Sequence, residues 1–156
     1  MSFGQLSLKG RALRYLSQRE HSRAELMRKL APFVEHSPEA PAAQQISGLL
    51  DELAALNWQS ESRVAESVLR TKGARFGTFR LKQTLQAKGL EPALVAATVQ
   101  QARGTEYERA LAIWCSRFGG PPSDAKERAK QQRFLAGRGF ASEVIHRVVR
   151  GGDDES

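Results

Sequence analysis

The feature that most constrains the fold of this chain is an internal repeat with an offset of 50 residues. Leu85–Leu90 aligns with Leu135–Phe140, and in both copies a basic segment ends at a Lys-Gly or Arg-Gly pair followed by one apolar residue. The apolar positions that follow also correspond: they are Leu94, Val95, Thr98 and Val99 in one copy and Val144, Ile145, Val148 and Val149 in the other. Self-similarity at such a period indicates tandem structural units.

Apolar residues recur at helical spacing along nearly the whole chain, and no alternating run typical of a strand is present. The two clearest stripes are Ile46, Leu49, Leu50, Leu53 and Leu56, and Tyr107, Ala110, Leu111, Trp114 and Phe118. Ser22 and Glu25 have the spacing of a capping box, and Pro92 suits the first position of a helix. The sequence therefore predicts an all-α protein.

Three tandem three-helix repeats account for this pattern, and they cover residues 8–58, 59–103 and 104–150. Residues 31–43 form a proline-containing loop in the first repeat, and the acidic residues 151–156 are expected to be a disordered tail. Repeats of this size bury little apolar surface alone, so neighbours are expected to share interfaces in an elongated, curved array. Such an array suits an elongated partner, either a filament or a nucleic-acid strand.

Composition excludes several classes of protein. The chain has 156 residues and a single cysteine, Cys115, which rules out an internal disulfide and a cysteine-cluster metal site. No stretch of 18 apolar residues exists, so a transmembrane helix is not expected. The first eleven residues lack the apolar region of a secretion signal. These observations predict a soluble, basic, intracellular protein.

Positive charge is concentrated in two clusters. Lysine and arginine total 24 against 17 acidic residues, a net charge of +7, and no acidic residue lies between Glu66 and Glu91. The first cluster is Arg70, Lys72, Arg75, Arg80, Lys82 and Lys88, and the second is Lys126, Arg128, Lys130, Arg133 and Arg138. Because such clusters bind polyanions through counterion release, we predict that these eleven side chains face an acidic protein surface or DNA.

Phe76 is the candidate for base stacking, because it lies in a glycine-interrupted basic segment, Lys72–Arg80. The alternative is a turn between two helices in which Phe76 and Phe79 fill the core, and stacking is expected less for Phe79. Trp114 and Phe140 occupy repeat positions that predict burial.

No set of residues in the sequence indicates an enzyme. His21, His36 and His146 lie on separate segments without metal or nucleophile spacing, and they are expected at the surface or in loops. Cys115 adjoins Trp114 on an apolar helix and is expected to be a buried structural thiol. The chain has no P-loop motif, and the prolines of Gly119–Pro122 indicate a connector. We predict no catalytic residue, no metal and no cofactor.

Several segments resemble the RecX family. Leu13–Leu30 resembles its N-terminal signature, and Lys88–Leu90 and Gln132–Phe140 resemble its second- and third-unit signatures. The likeness spans Leu8 to Arg150. Leu56–Ser60 departs from it, because the family usually shows a Gly-aromatic-Leu-Asp-Asp-like turn there.

The resemblance implies a small cytoplasmic, monomeric regulator of the RecA recombinase, built from tandem three-helix repeats. Such a protein binds RecA and its filament on single-stranded DNA, blocks filament extension, and lowers the ATPase, strand-exchange and coprotease activities of RecA in DNA repair and the SOS response. Weak direct binding to nucleic acid is a further expectation. The alternative is a stand-alone helix-turn-helix-like DNA-binding protein or transcription regulator, for which Lys126–Gln132 is the one base-reading candidate and which would prefer one duplex sequence.

Overall fold

The computed structural model describes residues 6–34 and 41–151, which form nine α-helices and a 3-10 turn at Ala31–Phe33. The helices are α1 (Leu8–Gln18), α2 (Arg23–Leu30), α3 (Ala42–Ala55), α4 (Glu61–Lys72), α5 (Thr78–Ala87), α6 (Pro92–Arg103), α7 (Glu106–Phe118), α8 (Ala125–Gly137) and α9 (Ser142–Val149). No strand occurs among the described residues, and the all-α prediction is confirmed. The proline-loop residues 35–40 and the tail residues 152–156 lie outside the described part.

Local sequence explains where several helices begin. The Ser22 hydroxyl accepts a hydrogen bond from the Glu25 amide at 3.1 Å, and the Glu25 carboxylate accepts one from the Ser22 amide at 3.1 Å. The predicted capping box at the start of α2 is thereby confirmed. Pro92 begins α6, where its missing N–H has no helical partner to lose. Asp124 caps α8 by accepting from the Glu127 amide at 2.7 Å.

The first compact unit falls within residues 1–65 and includes residues 88–90. In this unit α2 packs against α1, α3 and the 3-10 turn. Its buried core consists of Ala12, Leu26, Leu30, Val34, Ile46, Leu50 and Leu53. Leu56 was predicted to extend the α3 stripe, but its side chain is 47% exposed. The stripe stops because α3 ends at Ala55 and the chain turns through a left-handed residue, Asn57, with φ of 60°.

The second compact unit falls within residues 66–87 and 91–156. Within it α5 packs on α6, and α7 and α8 both pack on α9. One buried core joins α7, α8 and α9 and consists of Ala110, Trp114, Leu135, Phe140, Ile145, Val148 and Val149. Trp114 is 4% exposed and Phe140 is 5% exposed, which confirms their predicted burial.

The two copies of the 50-residue repeat adopt the same local structure. In α6 and α9 the burial pattern is identical at all ten compared positions, 91–100 and 141–150. The glycine of each Lys-Gly or Arg-Gly pair is left-handed, with φ of 71° at Gly89 and 86° at Gly139. Glycine adopts this conformation without a steric penalty from Cβ, so both junctions depend on it.

The predicted burial of Cys115 is wrong, because this cysteine is exposed. Trp114 takes the inward direction on α7, and its indole N–H donates to the Gln131 side-chain oxygen at 2.8 Å. The next residue along a helix is rotated by about 100°, so Cys115 lies off the buried stripe.

His21 lies in the loop between α1 and α2, one of the two positions expected for it, but it is not at the surface, because it is only 1% exposed. Both ring nitrogens have partners: Nδ1 donates to the Arg19 carbonyl at 3.0 Å, and Nε2 accepts from the Lys29 ammonium at 3.0 Å. These bonds make burial of the neutral ring tolerable, and burial lowers the pKa of His21. His146 is exposed as predicted, and His36 lies outside the described residues.

Candidate functional site

In the first unit, the start of α2 is fixed by residues far away in sequence. The Ser22 hydroxyl donates to the Lys88 carbonyl at 2.6 Å, and the Arg23 amide donates to the Glu61 carboxylate at 2.6 Å. Glu25 then balances two cations, Arg19 at 2.7 Å and Lys88 at 3.1 Å. The two cations that contact Glu25, Arg19 and Lys88, are thus neutralised by a buried carboxylate.

The second unit contains an equivalent junction at the start of α5. The Gly77 amide donates to the Arg138 carbonyl at 2.8 Å, as Ser22 does to Lys88. The Thr78 amide donates to the Glu106 carboxylate at 3.2 Å, as Arg23 does to Glu61. Ser22 and Gly77 thus occupy equivalent positions. The third residue after each of them is Glu25 in the first unit and Arg80 in the second. The charge at this position is therefore reversed.

This reversal creates an arginine cluster, defined as Arg75, Arg80, Arg117 and Arg138 around the rings of Phe76 and Phe134. Three guanidinium groups lie over the Phe76 ring, with distances to its centroid of 4.5 Å for Arg80, 5.4 Å for Arg75 and 5.8 Å for Arg138. Arg138 and Arg117 lie 5.2 and 5.4 Å from the Phe134 centroid. Guanidinium groups are attracted to the face of an aromatic ring, and the two rings hold the like charges together.

Within residues 6–34 and 41–151, no carboxylate forms an ion pair with any of these four arginines. Two of them bond to backbone instead: Arg80 donates to the Gly137 carbonyl at 3.0 Å and Arg138 to the Arg75 carbonyl at 3.3 Å. Like charges held near one another without an anion destabilise a fold, and a bound anion removes that cost. The cluster therefore has the electrostatics of an anion-binding site.

Arg109 holds the loop that carries Arg75 and Phe76. Its guanidinium donates to the carbonyls of Gly73 at 2.8 Å and Phe76 at 2.6 Å, and to that of Ala102 at 2.9 Å. Burial lowers the pKa of Arg109, and the neighbouring Glu106 opposes this shift. Sequence reasoning missed this residue, because its partners are backbone carbonyls 33 and 36 residues away.

An open groove of about 570 Å³ adjoins the arginine cluster. Its lining residues are Ala74, Arg75, Ala112, Ile113, Ser116, Arg117, Phe134 and Arg138. Arg117 and Phe134 were not among the predicted site residues. The one sequence signal for Arg117 is a second acid-free window between Glu108 and Asp124.

Comparison with known proteins shows to which family this chain belongs. A family model of the third three-helix domain of RecX matches residues 105–149. The regulatory protein RecX of Leptothrix cholodnii is 49% identical over 151 residues, which cover 97% of this chain and 92% of that protein. The chain belongs to the RecX family. The resemblance seen in the sequence is thereby confirmed.

Other RecX proteins give the same result. The regulatory protein RecX of Ralstonia nicotianae is 47% identical over 148 residues, which cover 95% of this chain and 89% of that protein. A crystal structure of RecX from Lactobacillus salivarius matches with a TM-score of 0.74 at 21% identity and covers 92% of each chain. The likeness to this crystal structure concerns the fold alone. In the described part of this chain the fold is all-helical.

The structure brings together only some of the predicted site residues. Arg75, Arg80, Arg138 and Phe76 belong to the arginine cluster, whereas Lys88 is paired with Glu25 in the first unit. The other predicted residues lie outside the cluster on α4, α5 and α8, and all are exposed except the half-buried Lys72: they are Arg70, Lys72, Lys82, Lys126, Arg128, Lys130 and Arg133. Phe76 is half-buried, and Phe79 is 65% exposed. The alternative in which both rings fill the core therefore does not describe Phe79.

The structure also bears on the alternative of a base-reading helix at Lys126–Gln132. Gln131 is only 1% exposed. Its side-chain oxygen accepts from Trp114 at 2.8 Å, and its amide nitrogen donates to the Gly120 carbonyl at 3.2 Å. The Gln131 side chain is therefore buried and hydrogen-bonded inside the unit. It is not accessible for reading base edges, so α8 has one fewer side chain for that role.

Residues 6–34 and 41–151 contain neither a candidate membrane-spanning helix nor a candidate metal-ligating cluster. None of the helices there is long and apolar enough to cross a bilayer. No group of three or more histidine, cysteine, aspartate or glutamate side chains in those segments could hold a metal ion.

Because of the Glu25 carboxylate, the stability of this fold is expected to decrease in acid. Burial acts to raise the pKa of Glu25, but hydrogen bonds from Arg19, the Ser22 amide and Lys88 outweigh it and hold the pKa at about 2. Since the folded-state pKa lies below the ordinary value of 4.5, this carboxylate stabilises the fold above pH 4.5, and the stability is lost as pH falls towards 2.

We expect the free energy of unfolding of wild type to fall by roughly 2 kcal/mol more than that of E25Q between pH 5 and pH 2.5. Urea unfolding at each pH measures the difference. His21, whose pKa is lowered mainly by burial, starts to cost stability below pH 6.5 in both proteins, and the charge of Glu25 partly opposes that lowering in wild type only. Parallel curves for wild type and E25Q would contradict the assignment.

Proposed function

We propose that this chain is a negative regulator of the RecA recombinase that binds RecA and its filament on single-stranded DNA. By blocking filament extension, it lowers the ATPase, strand-exchange and coprotease activities of RecA. Two findings support this proposal: its relatives carry the name regulatory protein RecX, and the second unit holds four arginines that no carboxylate of the described residues pairs with. The arginine cluster is the observation that carries it.

The mechanism is occupancy. The basic side chains of α4, α5 and α8 bind the DNA backbone or acidic RecA surface, and counterion release supplies the free energy. Three tandem repeats, residues 8–58, 59–103 and 104–150, contact neighbouring RecA protomers and obstruct addition of the next subunit. The chain acts as a monomer, in the cytoplasm, without catalysis and without a cofactor.

A triple charge reversal tests this proposal. Arg70, Arg75 and Lys82 are exposed, so replacing all three with glutamate is compatible with the fold. We expect the concentration that half-inhibits the single-strand-dependent ATPase of RecA to rise at least tenfold, because attractive charges become repulsive. Wild type is expected to inhibit well below one molecule per RecA.

The matched control reverses three other exposed arginines, Arg14, Arg28 and Arg103, and so has the same net charge. Circular dichroism of both variants confirms that they fold. Equal loss of inhibition in the two triple variants would show that only net charge matters. No inhibition by wild type at excess would reject the proposed function.

A further inference from the structure

The groove beside the arginine cluster combines two kinds of surface. Half of its lining residues are apolar, and these four, Ala74, Ala112, Ile113 and Phe134, are called the apolar floor. The guanidinium groups of Arg75, Arg117 and Arg138 line the same groove. A ligand that matches both surfaces has an anionic group and a flat apolar group close together.

We propose that this groove binds one nucleotide of a single-stranded nucleic acid, with the phosphate on the guanidinium groups and the base against Phe134 and the apolar floor. This inference rests on the proposed function, in which the chain acts on a filament that contains single-stranded DNA. It goes beyond it by assigning DNA, and not RecA, to this groove.

The first unit shows which charge is missing at the second junction. There a carboxylate, Glu25, lies between Lys88 and Arg19 at 3.1 and 2.7 Å. In the second unit the equivalent residue is Arg80, and no other described carboxylate replaces it. Among the described residues no anion lies at this junction, and planar guanidinium groups bind phosphate oxygens with two parallel hydrogen bonds.

The apolar floor favours a nucleotide over an acidic peptide. A carboxylate side chain would satisfy the arginines and leave Ala112, Ile113 and Phe134 exposed, whereas a base covers them. Packing of a base against an aromatic side chain contributes about 1–3 kcal/mol, and it tolerates any sequence. The bases of a duplex are already stacked on each other, so only a single strand can offer one to the groove.

Fluorescence anisotropy with a labelled oligothymidylate tests the proposal on the intact chain without RecA. An abasic oligomer of the same length has the same phosphates and no bases. Wild type is expected to bind oligothymidylate at least roughly fivefold more tightly than the abasic strand. Phe134→Leu keeps an apolar side chain but removes the ring, so it is expected to weaken binding of oligothymidylate more than binding of the abasic strand.

Arg117→Gln removes one phosphate-binding group on an exposed side chain. We expect it to weaken binding of both oligomers and to reduce the slope of log affinity against log salt by about 0.7. The control is Arg103→Gln, which removes an exposed arginine of the same unit outside the groove. Circular dichroism establishes that all three variants remain helical.

Equal affinity for the two oligomers would overturn the inference, and so would identical behaviour of Arg117→Gln and Arg103→Gln. Displacement of the strand by submillimolar thymidine monophosphate would overturn it as well, because that result would assign the groove to a free nucleotide. Absence of oligomer binding with intact inhibition of RecA would also reject it, and would give the groove to an acidic protein surface. In that case the proposed function stands, so the two proposals fail separately.

Discussion

Gly139→Ala is expected to lower the free energy of unfolding of the second unit by about 2–5 kcal/mol. Gly139 has a φ of 86°, and a left-handed conformation costs a non-glycine residue about 1–2 kcal/mol. A Cβ there would also lie 2.6 Å from Arg80 Cβ and 2.8 Å from the Arg80 backbone nitrogen. Forcing α5 away from the junction adds about 1–3 kcal/mol. Urea unfolding measures the sum.

Two neighbouring glycines separate these contributions. Gly119 has a φ of 75° and open space around its Cβ, so Gly119→Ala is expected to cost only the conformational part. Gly137 is helical and also open, and Gly137→Ala is expected to be neutral or stabilising by up to about 1 kcal/mol. If Gly139→Ala cost no more than Gly119→Ala, the close approach of Arg80 would not limit the junction.

Removing the Glu106 carboxylate is expected to cause the second large loss of stability. Glu106 is only 4% exposed, and its Oε1 atom accepts from the Thr78 amide at 3.2 Å and the Ala141 amide at 3.1 Å. These two amides open α5 and α9, where helical N–H groups have no partner within the helix. Leaving a buried donor without a partner costs about 1–3 kcal/mol.

We therefore expect Glu106→Ala to destabilise the second unit by about 2–4 kcal/mol. Glu106→Gln retains an oxygen acceptor and loses the charge, so about 1 kcal/mol is expected from the weaker bonds. Glu108, which is exposed in the same first turn of α7, provides the control. Equal unfolding midpoints for Glu106→Ala and Glu108→Ala would show that the two amides find other partners.

The sequence predicted the parts of this fold that depend on residues close together along the chain. Helical spacing of apolar residues located the helices to within a few residues, and Ser22 with Glu25 predicted the start of α2. The Lys-Gly and Arg-Gly pairs predicted two equivalent turns, because only glycine adopts a positive φ without strain.

The candidate site was only partly predictable, because it depends on contacts between distant residues. Lys88 and Arg75 looked alike in the sequence, yet Lys88 is neutralised by Glu25, 63 residues away, and Arg75 is not. Arg109 gave no signal, since its partners are loop carbonyls. His21 is buried because a carbonyl and an ammonium group meet its ring, and periodicity contains no information about either.

The paired junctions also show how a duplicated segment can acquire a new role at little structural cost. Both copies keep the same backbone path, with a left-handed glycine and a glutamate that caps the facing helix. In one copy Glu25 neutralises the neighbouring cations, whereas the other copy has Arg80 at the equivalent position. The contacts of Ser22 and Gly77 with the facing carbonyl, and of the next amide with the capping glutamate, are present with either side chain, so this position is free to diverge. A binding surface can therefore arise at one copy of the junction while the cations of the other copy remain neutralised by its own carboxylate.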